Sequence, residues 1–177
     1  MRRTILLLAS VAVAMVLASG VAFALVTFAF GGPIERVAIA RESSASSSNS
    51  TAFVDIPGAS VSVFVPSGAT KLIMARYSAE SVCFGGTGLC SVRIVARNST
   101  TGAITLLQPA ASGAATEFVF DSTDAGRETG SSWESHSTDR SLRLGAGSYT
   151  IRAQRAVTSS ATTFRLDDWS LTVEQSQ

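Results

Sequence analysis

The sequence predicts an all-β protein: an antiparallel, jelly-roll-like β-sandwich of about eight strands. Three observations lead to this fold class. Apolar and polar residues alternate with a period of two in most segments after residue 51, turn-forming residues separate those segments, and no window has a sustained helical period. A period of two sends successive side chains to opposite faces of a strand, so each segment has one face for the core and one for solvent.

The predicted strands and turns follow each other at short intervals along the chain. Leu72–Ala75 is apolar in both phases, so we expect a central strand that is covered on both faces. The other core-facing sets are Val61, Val63 and Val65; Val92, Ile94 and Ala96; Phe118 and Phe120; and Tyr149, Ile151 and Ala153. The turn signals are Pro57-Gly58, Pro66–Gly68, Gly85–Gly88, Asn98–Gly102 and Gly145–Gly147.

The N-terminal segment indicates export. Arg2 and Arg3 precede an apolar run over residues 5–30, and small residues lie just before a cut expected after residue 24. Residues 1–24 therefore have the layout of a secretory signal peptide. Because the run continues past that cut, it is also long enough for an uncleaved anchor helix over residues 4–30, since spanning a bilayer takes about 20 residues. In either case the arginines stay in the cytoplasm, and the rest of the chain is secreted or held at the cell surface.

Residues 31–51 are expected to be a flexible linker. Their serine-rich tract, Ser43–Thr51, buries too little apolar surface to offset chain entropy. Residues 52–177 remain for one domain of ordinary size. The chain carries 14 basic and 13 acidic residues and no basic run after the leader, which argues against nucleic acid as a partner. Membrane contact is expected only through an uncleaved N-terminal segment.

The only cysteines, Cys83 and Cys90, are predicted to form a disulfide. In an exported protein a closely spaced pair is most simply a structural bond, here across a glycine-rich interval. A redox or metal role is disfavoured, because the spacing is not Cys-x-x-Cys and the chain has one histidine.

A phase slip near the C-terminus predicts a β-bulge at Asp167 and Asp168. Thr163–Leu166 keeps one apolar phase and the residues from Trp169 onward keep the other, so one extra residue restores a common core face. The two carboxylates are candidate calcium ligands together with loop carbonyls. We favour the simpler interpretation, in which Asp167 pairs with arginines and Asp168 caps the bulge, because calcium needs more oxygen ligands. The acidic segment Asp121–Glu128 is open to the same two interpretations.

Trp133 is the second candidate for ligand binding. It lies in the polar stretch Gly130–His136, where an exposed indole could stack on a sugar ring. The alternative is that the ring plugs an end of the core. Trp169, by contrast, is in phase with apolar neighbours and is predicted to be buried.

A hydrolase would have to use His136 with Asp139 and one of the many serines. The chain has no Gly-x-Ser-x-Gly elbow, and its serine abundance makes chance proximity common. We therefore expect no enzymatic activity.

A resemblance to known proteins rests on four segments, Phe53–Val63, Ala75–Cys83, Ser132–Ser137 and Thr163–Val173. They resemble uncharacterised secreted proteins of high-GC bacteria with a similar leader, a disulfide loop and one β domain. A looser similarity, carried by Leu142–Ile151, is to jelly rolls of the tumour-necrosis-factor and complement globular-head type. The looser similarity implies a jelly roll and a trimer, and neither resemblance implies a role for a particular residue.

These features predict an exported, non-enzymatic binding or assembly domain. The alternative is a carbohydrate-binding module for envelope or environmental polysaccharide, with calcium at Asp167 and Asp168 as its one candidate cofactor. A secreted hydrolase is third. The expected partners are accordingly a polysaccharide or further copies of the chain.

Overall fold

The computed structural model describes residues 32–110 and 112–176. The predicted signal peptide or anchor lies outside them. The described chain is an antiparallel sheet of eight strands, which confirms the all-β class. The strands are β1 (Ile34–Glu42), β2 (Ser46–Ser48), β3 (Val54–Phe84), β4 (Leu89–Asn98), β5 (Ile104–Leu106), β6 (Val119–Ser122), β7 (Glu134–Val157) and β8 (Thr163–Ser176), with 3-10 turns at Ala115–Glu117 and Asp124–Gly126. No helix in these residues has the length and apolar character that crossing a bilayer requires.

The two longest strands, β3 and β7, form the centre of the sheet. The strand order is β1-β8-β3-β7-β4-β5, with β2 beside β8 and β6 beside β4. β3 has 31 residues and pairs with the 24-residue β7 over three stretches. They are separated by one register shift between Asp55 and Ser60 and by a second register shift between Val65 and Thr70. The predicted turns at Pro66–Gly68 and Gly145–Gly147 lie at the second shift, so they are bends inside long strands. Gly68 adopts a φ of 77° there, which costs glycine little.

The bends fold the sheet over one core, so the two halves of the long strands pack as the layers of a sandwich. Val63 from the first half of β3 and Tyr77 from the second half belong to the same buried cluster. Trp169 of β8 reaches across the core, because a Cβ added at Gly58 would lie 3.5 Å from its indole ring. Trp169 is 3% exposed, which confirms its predicted burial.

The segment that was expected to be a flexible linker contains two strands. β1 pairs with residues 169–176 of β8, and β2 pairs with residues 164–166. Arg155 of β7 is buried and donates to the carbonyl oxygens of Ser46 at 2.8 Å and of Ser47 at 3.0 Å. A serine-rich composition indicates that few side chains are buried, but it does not report backbone hydrogen bonds. This segment is held by backbone hydrogen bonds to the edge of β8. The described fold therefore begins before the predicted domain boundary.

The predicted bulge in β8 is present. Between Ser78 and Glu80 of β3, the partners on β8 step from Ser170 to Asp167, so β8 contains an extra residue at this point. Asp168 has a φ of 42°, in the left-handed region that one type of bulge requires. The apolar residues on both sides of the bulge consequently face the same core.

Cys83 of β3 and Cys90 of β4 form the predicted disulfide. Gly85 and Gly86, with φ values of 78° and 62°, let the intervening loop reverse direction. Both sulfur-bearing residues are buried. Such a bond fits an extracellular domain, because disulfides persist in oxidising compartments.

Replacing Cys83 and Cys90 together by alanine is expected to lower the free energy of unfolding by about 2 kcal/mol. The effect is modest because the bond closes only a short loop in the unfolded chain. Equilibrium unfolding in urea of the double variant and the oxidised protein measures it. The wild-type chain reduced with dithiothreitol is the control, since it loses the bond without a change of side chain. A loss above about 5 kcal/mol in both would show that loop closure is not the cause.

Candidate functional site

A buried serine connects two titratable side chains beside the disulfide. Ser81 of β3 is fully buried, and its Oγ donates to Asp121 Oδ2 at 2.7 Å. The same Oγ lies 3.0 Å from His136 Nδ1. Because the serine proton goes to the carboxylate, His136 Nδ1–H is the donor in the second bond. Glu134 Oε2 lies 3.3 Å from His136 Nε2, a contact that becomes an ion pair when Nε2 carries a proton as well, and this proton would join Glu134 to the other three side chains.

This network does not have the arrangement of a serine hydrolase. A nucleophilic serine donates its proton to histidine, and a carboxylate orients that histidine from its other side. Here the serine lies between the carboxylate of Asp121 and the imidazole of His136. Asp139, the predicted partner of His136, instead accepts from Arg76 Nε at 2.7 Å. The network therefore joins β3, β6 and β7 and does not activate Ser81.

Asp121, Glu134 and His136 are the one set of three or more metal-ligating side chains that the described residues bring together. Their donor atoms lie within 4.8 Å of one another. A mixed carboxylate and imidazole set suits a transition metal better than calcium. Sequence reasoning considered Asp121 and His136 separately and missed Glu134 and Ser81. Their proximity depends on strand register, in which Ser81 lies opposite Glu134.

Asp167 and Asp168 do not belong to that set. Asp167 Oδ1 accepts the backbone N–H of Asp168 at 3.0 Å. Asp168 is exposed and lines a depression of about 580 Å³ beside β1. Among the described residues no third metal-ligating side chain joins the pair. Calcium binding at this bulge stays a prediction.

Trp133 is half-buried rather than fully exposed. The guanidinium carbon of Arg165 lies 5.0 Å from the centroid of its ring, so a cation covers one face of the indole. A sugar would have to use the other face or displace Arg165. The ligand role of Trp133 stays a prediction.

A groove runs over the outer face of the sheet where β8, β3 and β7 lie side by side. Its floor consists of two cross-strand rows: Ser141, Met74 and Glu174 in one, and Asp139, Arg76 and Thr172 in the other. Gln108 and Pro109 form a wall, because the backbone of Gln108 exchanges hydrogen bonds of 2.8 and 3.0 Å with Ser141. The groove encloses about 300 Å³, at the lower end of the range for small-molecule sites.

The groove combines an apolar surface with exposed hydrogen-bonding groups. Met74 is 47% exposed, so the prediction that Leu72–Ala75 is covered on both faces is wrong at this residue. Among the described residues no second layer covers the outer face of β3 there. Arg76 and Asp139 pair at 2.7 Å, yet their side chains are 64% and 63% exposed. Such a pair can still offer N–H donors and carboxylate acceptors to a ligand.

No protein family matches the chain, and no curated protein matches it. The structure of infectious bursal disease virus, Gx strain, is similar over 88% of this chain and 35% of the viral chain, with 12% identity and a TM-score of 0.45. Eiger TNF from S. frugiperda is similar over 80% of this chain and 93% of its own, with 13% identity and a TM-score of 0.39. The carbohydrate-binding module of Cellvibrio mixtus lichenase 5A, in complex with cellotriose, is similar over 81% and 91%, with 10% identity and a TM-score of 0.30.

The chain spans about a third of the viral chain that it matches. At these identities and TM-scores the solved structures transfer no ligand, partner or activity to this protein.

Proposed function

We propose that this chain is an exported, non-enzymatic binding domain, that its ligand site is the groove over β8, β3 and β7, and that the ligand is a saccharide. The observation that carries the proposal is the exposed side chain of Met74 next to the exposed Arg76–Asp139 pair on the floor of the groove. The leader and the disulfide support export.

A saccharide presents apolar C–H faces and a rim of hydroxyl groups, and the groove offers a counterpart to each. Met74 and Pro109 supply apolar surface, while Arg76 and Asp139 supply charged donors and acceptors. Hydrogen bonds to charged groups contribute about 1.5–3 kcal/mol each. The backbone of the floor is fixed in central strands, so binding has to order only side chains.

The charge of the groove favours a saccharide that is neutral or weakly charged. Arg76 and Asp139 cancel each other, and Glu174 adds one acidic group to the floor. A strongly anionic ligand would meet that carboxylate. A purely apolar ligand would desolvate the ion pair without replacing its hydrogen bonds to water, which is costly.

The test is a glycan screen of the exported, oxidised protein, followed by titration calorimetry of the best ligand. Asp139→Asn is expected to weaken binding about tenfold, because it removes a charged acceptor from the groove. Asp124→Asn is the matched control: Asp124 is an ion-paired carboxylate of similar exposure, 57%, that lies outside the groove. If no glycan binds, or if Asp139→Asn binds as tightly as the wild type, the groove is not a saccharide site.

The same screen tests the two other predicted positions. Binding that requires calcium and is lost in Asp168→Asn would place the ligand at the bulge. Binding that is lost in Trp133→Ala but kept in Asp139→Asn would place it beside Arg165. Either result would overturn the groove as the ligand site.

A further inference from the structure

β1 is an edge strand with exposed apolar side chains. It lies at the end of the strand order, and no described strand pairs with its outer edge. Val37 is 52% exposed and Ile39 50%. Both lie on the outer face of the sheet, because Val37 pairs with Glu174 and Ile39 with Thr172 of the groove floor. A nine-residue strand whose outer edge pairs with no described strand is a template for another strand.

The sequence of β1 is complementary to itself in the antiparallel orientation. Its pairing with β8 is regular from Arg36 to Glu42, after a register irregularity between Ile34 and Arg36. If two copies pair about a two-fold axis at Ile39, Arg36 of each copy lies opposite Glu42 of the other. The two Ile39 side chains then face each other across the axis. Opposite charges across paired strands are stabilising, and like charges are destabilising.

Other pairings of two copies are less favourable. A parallel arrangement in register places Arg36 opposite Arg36 and Glu42 opposite Glu42. In an antiparallel register centred on Ala38, the pair of opposite charges is Glu35 and Arg41. Glu35 Oε1, however, already accepts from Lys71 Nζ at 2.7 Å. Glu42 Oε1 also accepts hydrogen bonds, from the backbone N–H groups of Ser43 at 2.9 Å and Ser44 at 3.1 Å, so Arg36 of the other copy would bind Glu42 through Oε2. Among these pairings, the antiparallel register centred on Ile39 is the one in which opposite charges meet without breaking the ion pair between Lys71 and Glu35.

We propose that two copies of this chain associate through β1, antiparallel and about a two-fold axis at Ile39, so that the sheet continues from one copy into the other. The contact is isologous and closed, so it yields a dimer rather than a filament. It differs from the trimer implied by the resemblance to tumour-necrosis-factor-type jelly rolls. The proposal goes beyond saccharide binding and does not depend on it.

The test is the light-scattering mass of the exported protein, produced from the full-length chain in a secreting bacterial host. We expect twice the mass of one chain. Ile39→Lys places two lysines together at the axis and should give monomers. Ile104→Lys is the matched control, because Ile104 has a similar exposure, 54%, on β5 at the other end of the strand order. Circular dichroism of each variant establishes that it is folded.

Charge exchange makes the test specific for the register. In the Arg36→Glu variant, the new carboxylate of each copy lies opposite Glu42 of the other copy. This repulsion should raise the dimer dissociation constant about tenfold. The double variant R36E/E42R restores opposite charges and should recover the dimer. A monomeric or trimeric wild type, a dimer that survives Ile39→Lys, or a double variant that fails to recover would overturn the proposal. Asp139→Asn should leave the mass unchanged, so the groove and the interface are tested separately.

Discussion

Replacing Trp169 by alanine is expected to lower the free energy of unfolding by about 3–5 kcal/mol. The indole is 3% exposed and stacks on Tyr77, with ring centroids 6.1 Å apart and an interplanar angle of 27°. It also lies close to Gly58 in the facing half of the sandwich, where an added Cβ would be 3.5 Å from the ring. Because these neighbours lie in the two halves of β3, and pairing with β7 fixes the position of each half, they cannot close readily around the cavity that alanine leaves.

Urea unfolding followed by far-ultraviolet circular dichroism measures this loss without relying on the fluorescence of the replaced residue. Asp168→Gly is the matched control, because it changes the adjacent residue of the same bulge. Asp168 has a φ of 42°, which glycine adopts readily, so this variant should be as stable as the wild type or slightly more so. A loss below about 1 kcal/mol for Trp169→Ala would show that the site collapses around the smaller side chain.

A chain that begins at Ala52 is expected to be poorly stable and to aggregate. It lacks β1 and β2, so the edge of β8 loses its partners and becomes open to pairing with other molecules. It also lacks Ser46 and Ser47, whose carbonyl oxygens accept from Arg155. Burial already lowers the pKa of this arginine. A charge that stays buried after it loses its partners costs about 3–5 kcal/mol, and water that reaches the uncovered guanidinium reduces this cost.

The measurement is the soluble yield and urea midpoint of this shortened chain. A chain that begins at residue 32 is the control, since it removes only residues that precede the described strands. Arg155→Met in the shortened chain should recover part of the loss, because an apolar side chain of similar length needs no acceptor. If the chains that begin at residues 32 and 52 unfold at the same urea concentration, β1 and β2 do not contribute to the stability of the fold.

The predictions that held depend on residues close together in the chain. The alternation of Val61, Val63 and Val65 predicts a buried face because the period of two belongs to one strand. The bulge at Asp167 and Asp168 is visible as a phase slip within β8. The disulfide follows from a short, glycine-rich spacing between two cysteines in a chain that is predicted to be exported.

The predictions that failed concern relations between distant segments. The serine-rich tract has few apolar side chains, yet the edge of β8 supplies its backbone with hydrogen bonds, which composition does not report. The turn signals at Pro66–Gly68 and Gly145–Gly147 mark bends because β3 and β7 continue to pair beyond them. Met74 is exposed because no described element covers the outer face of β3 at that point.

Local pattern was thus sufficient for the fold class, the buried faces, the bulge and the disulfide, because side-chain chemistry within a segment determines each of them. Strand order and register were settled only by the packed structure. They bring Ser81 against Asp121 across 40 residues of chain, and they place Met74 beside the Arg76–Asp139 pair in the groove. The reason is that backbone hydrogen bonds are the same for every residue, so the choice of partner strand depends on how all the strands pack together.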